Sequence, residues 1–297
     1  MLKVDNLTKT LDNFKLQDIS FHLPKGYICG LIGENGAGKT TLIKLLIGLY
    51  KRDRGSGGDI TINGYSMDED EARMKEGLGL IHDESMYDKR LSLEQIGLYY
   101  GEFYCEFDMK KYLGYLDKFG LDSHQRYREL SKGMEIKTQL AFALSHNAKM
   151  FIFDEPTSGL DKSFREEFIK ICADIVSDGE RSILISSHIT EDLDRIADYI
   201  AYMQEGKILF FTTKEALCDK FLIVQGEDYK CNLISKDAVI YKETGEYSSR
   251  AMIINSKRFA IDAELETKQP DIREFMHYFV KGGKQNAEAI AEKYLQG

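Results

Sequence analysis

The segment Gly33-Glu34-Asn35-Gly36-Ala37-Gly38-Lys39-Thr40 decides the fold of this 297-residue chain. Its glycines allow backbone N–H groups to converge on phosphate oxygens, because no Cβ atoms stand in the way. Lys39 adds a positive charge, and the hydroxyl of Thr40 can ligate Mg²⁺. The spacing therefore predicts a phosphate-binding loop.

The residues on either side of this loop supply the context that it needs. Tyr27–Ile32 is a continuous apolar run closed by glycine, as expected for a buried parallel strand. After the loop, a helical face that runs through Leu49 carries Leu42, Leu45 and Leu46. The start of this helix would point its positive dipole end at an anion. A plain glycine-rich turn is the alternative, and the strand and helix favour the phosphate loop.

A second apolar strand, Met150–Phe153, ends in the two carboxylates Asp154 and Glu155. The strand carries them to the carboxyl edge of the predicted sheet, where ligands of open α/β sheets bind. There Asp154 would hold Mg²⁺, and Glu155 would act as general base on the attacking water. Paired acids at a strand end are otherwise a solvated turn, and the phosphate loop favours the catalytic interpretation.

The segment Leu130–Met134, which reads LSKGM, precedes an apolar-periodic helix. Ser131 suits the N-cap of that helix, so a hydroxyl, backbone amides and a helix dipole would face an anion. Seen alone it is an ordinary N-cap, but it lies 23 residues before Asp154. Asp161 likewise suits the N-cap of the amphipathic helix that follows it.

The order of these patterns predicts the organisation of the chain. Strands alternate with helices, which indicates an α/β fold with a mostly parallel sheet and helices on both faces. Residues from about Glu84 to Asn147 follow a mainly helical pattern. After about Lys214, short β-like runs precede a helical stretch that starts at Asp271. We expect a small additional α+β domain there.

The composition narrows the classes of function. The formal net charge of −9 argues against a protein that grips nucleic acid along a basic face. The five cysteines have no C-x-x-C spacing, as expected for reduced thiols. No signal peptide is evident, and the longest apolar run, Leu42–Tyr50, is shorter than the roughly 20 residues of a membrane span. Any membrane association is therefore expected to be indirect.

Four motifs follow one another along the chain: GENGAGKTT (33–41), LSKGM (130–134), FIFDEPTSGLD (151–161) and SSH (186–188). Together they resemble the motifs of the nucleotide-binding subunits of ABC transporters, and LSKGM is similar to the signature variant of many bacterial peptide and antibiotic exporters. The resemblance covers roughly residues 1–215. It implies a P-loop NTPase core with an antiparallel β subdomain and an inserted helical subdomain at about 84–147. Residues 216–297 would form a C-terminal accessory domain.

The resemblance implies ATP and Mg²⁺ as cofactors and gives each motif a role. ATP contacts are implied for Gly33, Glu34, Asn35, Gly36, Ala37, Gly38, Lys39, Thr40 and Thr41. The implied metal ligands are Thr40, Asp83 and Asp154. The implied catalytic groups are Glu155, His188, Lys39 and Asp83. His188 matches the family's switch histidine, which contacts the γ-phosphate.

The family also implies a head-to-tail dimer with two ATP molecules at its interface. Ser131 and Gly133 of one subunit would touch the γ-phosphate held by the other. Asp161 matches a loop that crosses to the partner's site. Because all motifs are intact, the chain would pair with an identical chain, or with a different one as the active half of the dimer.

Two positions depart from the family pattern. Asp83 aligns with a glutamine that usually links Mg²⁺ and the attacking water to the transporter interface. An ionised carboxylate can ligate the metal but cannot donate a hydrogen bond. Leu11 stands where the family often has an adenine-stacking tyrosine, and Phe14 is the candidate replacement.

The implied function is ATP hydrolysis that drives a separate transmembrane permease, in the export direction, at the cytoplasmic face of the cell membrane. The main alternative is a soluble member of the same superfamily that acts on nucleic acid or ribosomes. Lys39 and Asp154 are only 115 residues apart, too few for a long inserted coiled coil, and one cassette is present. An ATP-binding module without turnover is a second alternative, against which Glu155 and His188 argue. We expect no nucleic-acid partner.

Overall fold

A computed structural model describes residues 1–11, 13–53, 58–84, 86–187 and 189–295, without the side chains of 284–286. By its contacts the chain divides into two units. The first unit consists of Met1–His188 and Met203–Ile208, and the second of Ile189–Tyr202 and Leu209–Gly297. The expected boundary between residues 215 and 216 lies within a helix of the second unit and, as a domain boundary, stays a prediction.

The described strands alternate with helices along much of the chain. The strands are β1 (Leu2–Leu11), β2 (Phe14–Leu23), β3 (Ile28–Ile32), β4 (Asp59–Ile62), β5 (Tyr65–Ser66), β6 (Leu78–Ile81), β7 (Met150–Asp154), β8 (Ser182–Ser186), β9 (Tyr199–Gln204), β10 (Lys207–Thr213), β11 (Phe221–Gly226), β12 (Val239–Thr244), β13 (Ser249–Ile254) and β14 (Glu266–Lys268). The helices are α1 (Lys39–Leu46), α2 (Glu71–Glu76), α3 (Leu93–Gly101), α4 (Met109–Lys118), α5 (Lys132–Ala143), α6 (Lys162–Val176), α7 (Thr190–Ile196), α8 (Lys214–Lys220), α9 (Asp228–Cys231), α10 (Ile272–Lys281) and α11 (Lys284–Ile290).

A parallel sheet forms the centre of the first unit. The strands β3, β8, β7 and β6 are neighbours in that order, and each pair is parallel. Every residue of β3, β7 and β8 is buried, which explains why their sequences are almost entirely apolar. Because parallel strands end at the same edge, the loops after these strands come together there. The predicted α/β class with a mostly parallel sheet is confirmed.

An antiparallel sheet with the order β2-β1-β4-β5 lies in the same unit. Leu2 pairs with Leu23 on one side and with Ile62 on the other, and all three side chains are fully buried. The alternation of apolar and polar residues in β1 and β2 thus gives the sheet one buried face. The expected antiparallel β subdomain is present.

The expected helical insert contains α3, α4 and α5, together with a 3₁₀ turn at Tyr127–Glu129. Each helix begins at a capping side chain that accepts a hydrogen bond from the first turn: Ser92, Asp108 and Ser131. Tyr112 and Tyr127 are fully buried in this region. The predicted N-cap at Ser131 is confirmed.

The prediction that the helix after the phosphate loop runs through Leu49 was wrong. Helix α1 ends at Leu46, and Gly48 has a φ of 73°, which takes the backbone out of the helical region. Leu49 is 58% exposed and does not extend the buried face of the helix. The apolar periodicity therefore extended one turn beyond the helix itself.

The second unit contains an antiparallel sheet with the order β12-β13-β11-β14. Val224, Ala251 and Ile253 contribute to its core. Helix α10 buries Phe275 and Phe279 against other aromatic side chains of this unit. The predicted short strands and terminal helices are confirmed here. None of the helices in the described residues combines the length and apolar composition that a membrane-spanning helix requires.

Candidate active site

The phosphate loop connects the end of β3 to the start of α1, and its glycines are required by its geometry. Gly36 has a φ of 82° and Gly38 a φ of 110°, both in the region that disfavours side chains. A Cβ atom on Gly38 would also lie 2.6 Å from Cζ of Phe14 and 2.8 Å from Cδ2 of Leu16. Only glycine lets the loop approach the β1–β2 hairpin this closely.

Lys39 is the first residue of α1, and its side chain folds back over the loop. Its ammonium group donates hydrogen bonds to the carbonyl oxygens of Gly33 at 2.7 Å and Glu34 at 3.2 Å. The N–H of Ala37 donates to the same Glu34 carbonyl at 3.1 Å. Burial lowers the pKa of Lys39, and the nearby carboxylates of Glu155 and Asp154 partly oppose that shift. The loop therefore holds a positive charge close to two acids.

A cavity of about 540 Å³ opens beside this loop. Its lining residues are Leu11, Phe14, Asn35, Gly36, Gly38, Lys39, Thr40, Thr41 and Glu155. Phe14 and Leu11 supply apolar surface, Lys39 a cation, Thr40 and Thr41 hydroxyl groups, and Glu155 a carboxylate. The structure thus gathers most of the residues that the sequence implicated in ATP binding.

Asp154 and Glu155 follow one another at the carboxyl end of β7, and Ser186 at the end of β8 bonds to both. The Ser186 hydroxyl donates to Oδ1 of Asp154 at 2.6 Å and accepts from the N–H of Glu155 at 3.0 Å. Asp154 is only 3% exposed, and Glu155 has a φ of 49°. Ser186 therefore holds the carboxylate of Asp154 and the backbone of Glu155 at the end of β7.

The oxygen donors at this edge fit a bound Mg²⁺. The Thr40 hydroxyl and the Asp154 carboxylate are ligands that Mg²⁺ prefers, and this ion usually completes its shell with water and phosphate oxygens. Within the described ranges no group of three or more His, Cys, Asp or Glu side chains could hold a metal by itself. The donor set is thus of the kind that binds Mg²⁺ together with a nucleotide.

Asp83 lies beyond the end of β6, and its carboxylate forms an ion pair instead of lining the cavity described above. Its Oδ1 is 2.7 Å from Nζ of Lys132, the lysine of LSKGM. The preceding residue, His82, is held by Gln139 of α5: its N–H donates to Oε1 at 2.8 Å, and its carbonyl accepts from Nε2 at 3.2 Å. The expected role of Asp83 as a metal ligand and catalytic group stays a prediction.

The LSKGM segment and the loop that leads to Asp161 form a second group of residues, in which Gly133 lies against Gly159. Ser131 caps α5, and a Cβ atom on Gly133 would lie 2.9 Å from the carbonyl oxygen of Gly159. Asp161 caps α6 by accepting from the N–H of Phe164 at 2.9 Å, a hydrogen bond that lowers the pKa of its carboxyl group. Of the residues that the structure describes, Ser131, Gly133 and Asp161 do not line the cavity beside Lys39.

His188 lies outside the described residues, so its predicted role as a switch histidine stays a prediction. Sequence reasoning also missed three contributors to this region. Ser186 was quoted only as part of the SSH motif, Leu11 only as a substituted position, and Lys132 only as a letter of LSKGM. The place of Ser186 as the first residue of SSH was the available signal, but its hydrogen bonds depend on the pairing of β7 with β8.

The chain is similar to known proteins in sequence and in fold. A family model described as ABC transporter matches residues 16–158. The chain is 33% identical over 216 residues to the lantibiotic transport ATP-binding protein SrtF of Streptococcus pyogenes, over 70% of this chain and 89% of that protein. It is 29% identical over 226 residues to the linearmycin resistance ATP-binding protein LnrL of Bacillus subtilis (strain 168), over 74% of this chain and 71% of that protein. A solved ATP-binding subunit of an ABC transporter matches with a TM-score of 0.66 and 26% identity, over 73% and 91% of the two chains.

Proposed function

Because this chain belongs to the ABC transporter family, as an ATP-binding subunit and an ATPase, we propose that it hydrolyses ATP in the cavity beside Lys39 and thereby drives a separate transmembrane permease. One observation carries the proposal: Lys39, Thr40 and Glu155 line the same cavity. Phosphoryl transfer to water requires a cation for the phosphates, a ligand for the metal and a group that orients the water. These three residues supply them.

The residues divide the chemistry among them. The backbone N–H groups of the glycine loop and the ammonium of Lys39 bind the phosphates, and Phe14 and Leu11 offer apolar surface to the base. Thr40 and Asp154 would hold Mg²⁺, which would supply positive charge opposite the developing phosphate charge. Glu155 accepts a proton from the attacking water, and Ser186 holds its backbone N–H. The role that the family resemblance implies for His188 is contact with the γ-phosphate.

The active form is a dimer of ATP-binding subunits. Ser131, Gly133 and Asp161 form a group separate from the cavity, so they are available to the ATP of a second subunit. The N-terminus of α5 offers a hydroxyl and a positive dipole end to the γ-phosphate. A head-to-tail arrangement would use both groups of residues twice and would close two sites at once.

The permease docks on the helical insert near Asp83. Leu98, Tyr99 and Phe103 are each more than half exposed along and just beyond α3. Beside them lies a cavity of about 210 Å³ that is lined largely by aromatic residues, among them Tyr87. Exposed apolar surface of this extent is typical of protein–protein contacts. Contact there would connect movement of the insert to the membrane partner.

Export is the proposed direction of transport. Two relatives are named for lantibiotic transport and for linearmycin resistance, and LSKGM is similar to the signature of many bacterial peptide and antibiotic exporters. We place the chain at the cytoplasmic face of the cell membrane, held there by the permease. The negative net charge argues against nucleic acid as a partner.

The deciding experiment compares the ATPase activity of the parent chain with that of Glu155→Gln. Glutamine keeps the size of the side chain and cannot take up a proton, so we expect hydrolysis to fall by at least about a hundredfold while ATP binding persists. Size-exclusion chromatography in ATP and Mg²⁺ should show a dimer of the variant, because the nucleotide is no longer consumed. Glu180→Gln is the control, since Glu180 pairs with Lys25 on the surface away from the cavity.

The outcomes separate the parts of the proposal. If Glu155→Gln hydrolyses ATP as fast as the parent, Glu155 is not the base and the site assignment fails. If the variant binds ATP but stays monomeric, the dimer fails and the site stands. Affinity purification from cells through this chain should recover a membrane protein with several spans, and its absence would contradict the transport role.

A further inference from the structure

The three residues after β6, His82, Asp83 and Glu84, are attached to two helices of the first unit. We call them the junction segment. Glu84 pairs with Lys44 of α1 at 2.7 Å, and Asp83 pairs with Lys132 of α5 at 2.7 Å. The backbone of His82 forms two hydrogen bonds with the side chain of Gln139, also in α5. The junction segment therefore connects the helix that follows the phosphate loop with the helix that starts at LSKGM.

Lys132 stands where three functional segments meet. Its ammonium group forms an ion pair with the carboxylate of Asp83 and donates a hydrogen bond to the backbone carbonyl of the same residue. Its aliphatic stem lies against Gly159, where an added Cβ atom would be 3.5 Å from Cγ of Lys132. It is also the residue between Ser131 and Gly133. One side chain thus contacts the junction segment and the loop that leads to Asp161, and its backbone belongs to the signature.

The ion pair itself contributes little to the stability of the fold. The side chain of Asp83 is 64% exposed and that of Lys132 is 37% exposed, and exposed ion pairs of this kind are weak because water screens them. By contrast, the hydrogen bonds of His82 to Gln139 are buried and anchor the segment firmly. The Lys132–Asp83 contact therefore affects local geometry. It sets the position of the LSKGM signature relative to the junction segment.

We propose that Lys132 is a positioning residue for ATP hydrolysis, which holds Asp83 and the signature of the same chain in one fixed arrangement. This inference rests on the proposed function, because it assigns Asp83 and Ser131 to ATP sites. If Lys132 or Asp83 loses its charge, neither side chain is held by the other. Asp83 is then less well positioned for the attacking water, and Ser131 for the γ-phosphate. The phosphate loop is untouched, and the affinity for ATP stays the same.

A double-mutant cycle tests the inference. The variants are Lys132→Met, Asp83→Asn and the two combined, with kcat and KM for ATP measured for each. We expect each single variant to lower kcat about five- to tenfold and to leave KM within about twofold, and the combined variant to lose no more than the worse single one. Lys132→Arg keeps the positive charge and should retain a kcat close to that of the parent.

The matched control is the remote ion pair between Lys25 and Glu180, whose side chains are also exposed and 2.9 Å apart. Lys25→Met should change neither kcat nor the midpoint of thermal unfolding, and the midpoint of Lys132→Met should equal that of the parent. Additive losses in the cycle would overturn the inference, as would an unchanged kcat in Lys132→Met. A parent chain that binds and hydrolyses no ATP would overturn the proposed function, and with it this inference.

Discussion

At the scale of single residues, the candidate site depends on the hydrogen bonds that Ser186 forms with Asp154 and Glu155. The strands β7 and β8 set the positions of these three residues. Asp154 ends β7, and β7 pairs with β8 so that Asp154 lies opposite Ser186. The buried hydroxyl of Ser186 has both of its polar functions in use, one toward each acid. A group that touches neither phosphate nor water can therefore govern how well Glu155 is aimed.

Ser186→Ala should lower kcat about ten- to a hundredfold and leave ATP affinity nearly unchanged, since outer groups that orient catalytic ligands have effects of this size. The reason is that Asp154 loses its donor and the N–H of Glu155 loses its acceptor. Steady-state kinetics and a fluorescent-nucleotide titration measure the two quantities. Ser182→Ala is the control, because Ser182 is equally buried on the same strand and bonds to Pro24 and Gly26 at the opposite end. Equal effects of the two substitutions would show that Ser186 matters only for folding.

Some residues of the candidate site could be predicted from the sequence, and some contacts between them could not. The phosphate loop and Asp154–Glu155 were predictable, because local spacing and an apolar strand determine them. The bond from Ser186 to Asp154 joins residues 32 apart, and the pair of Asp83 with Lys132 joins residues 49 apart. Such contacts follow from strand order and helix placement, which periodicity does not give.

At the scale of secondary structure, the N-terminal caps of helices were more predictable than their C-terminal ends. Ser131 and Asp161 accept hydrogen bonds from the first turns of α5 and α6, as their residue types indicated. The acidic run at 68–71 also leads into a short helix, with Asp70 as its cap. The end of α1 was misjudged, because its apolar spacing continues past Gly48, where the backbone turns away.

Helix α10 provides the stability prediction at this scale. Phe279 is fully buried, and its ring centroid lies 4.9 Å from that of Phe275 and 5.3 Å from that of Tyr202. Phe279→Ala should lower the free energy of unfolding of the second unit by about 3–5 kcal/mol, through lost burial and the cavity left behind. The chain has no tryptophan, so far-UV circular dichroism in urea is the suitable measurement.

The neighbouring residue in α10 serves as the control for that experiment. Val280 is 38% exposed, and Val280→Ala should change the free energy of unfolding by less than about 1 kcal/mol. A loss in Phe279→Ala as small as that expected for Val280→Ala would mean that the aromatic cluster does not stabilise this unit. A loss of ATP hydrolysis in the Phe279 variant, with the urea transition unchanged, would point to a functional role of α10 that its packing does not explain.

At the scale of the whole molecule, the described part of the chain carries two groups of candidate site residues that do not share a cavity. One group surrounds Lys39, and the other includes Ser131 and Gly133. In a head-to-tail pair each ATP would lie between the first group of one subunit and the second group of its partner. A site of this kind exists only in the dimer, so it can be rebuilt from two chains that are defective in different groups.

A site shared between two subunits predicts complementation between two inactive variants. Lys39→Ala removes the phosphate-binding cation, and Ser131→Arg blocks the signature with a bulky side chain. In a mixed dimer, one site combines the intact phosphate loop of the Ser131 variant with the intact signature of the Lys39 variant. Random pairing makes half of the dimers mixed, with one intact site out of two in each, so equal mixing should restore about a quarter of the parent's ATPase activity.

The control for complementation is a mixture of Lys39→Ala with Thr40→Ala. Both defects lie in the phosphate loop, so every site in every dimer remains defective and no activity should return. Recovery in this mixture would mean that two phosphate loops contribute to one site, which would contradict the head-to-tail arrangement. No recovery in the first mixture, with dimers present by size-exclusion chromatography, would contradict a head-to-tail homodimer and would favour a different chain as the natural partner, because the two groups of this chain would then never meet across one interface.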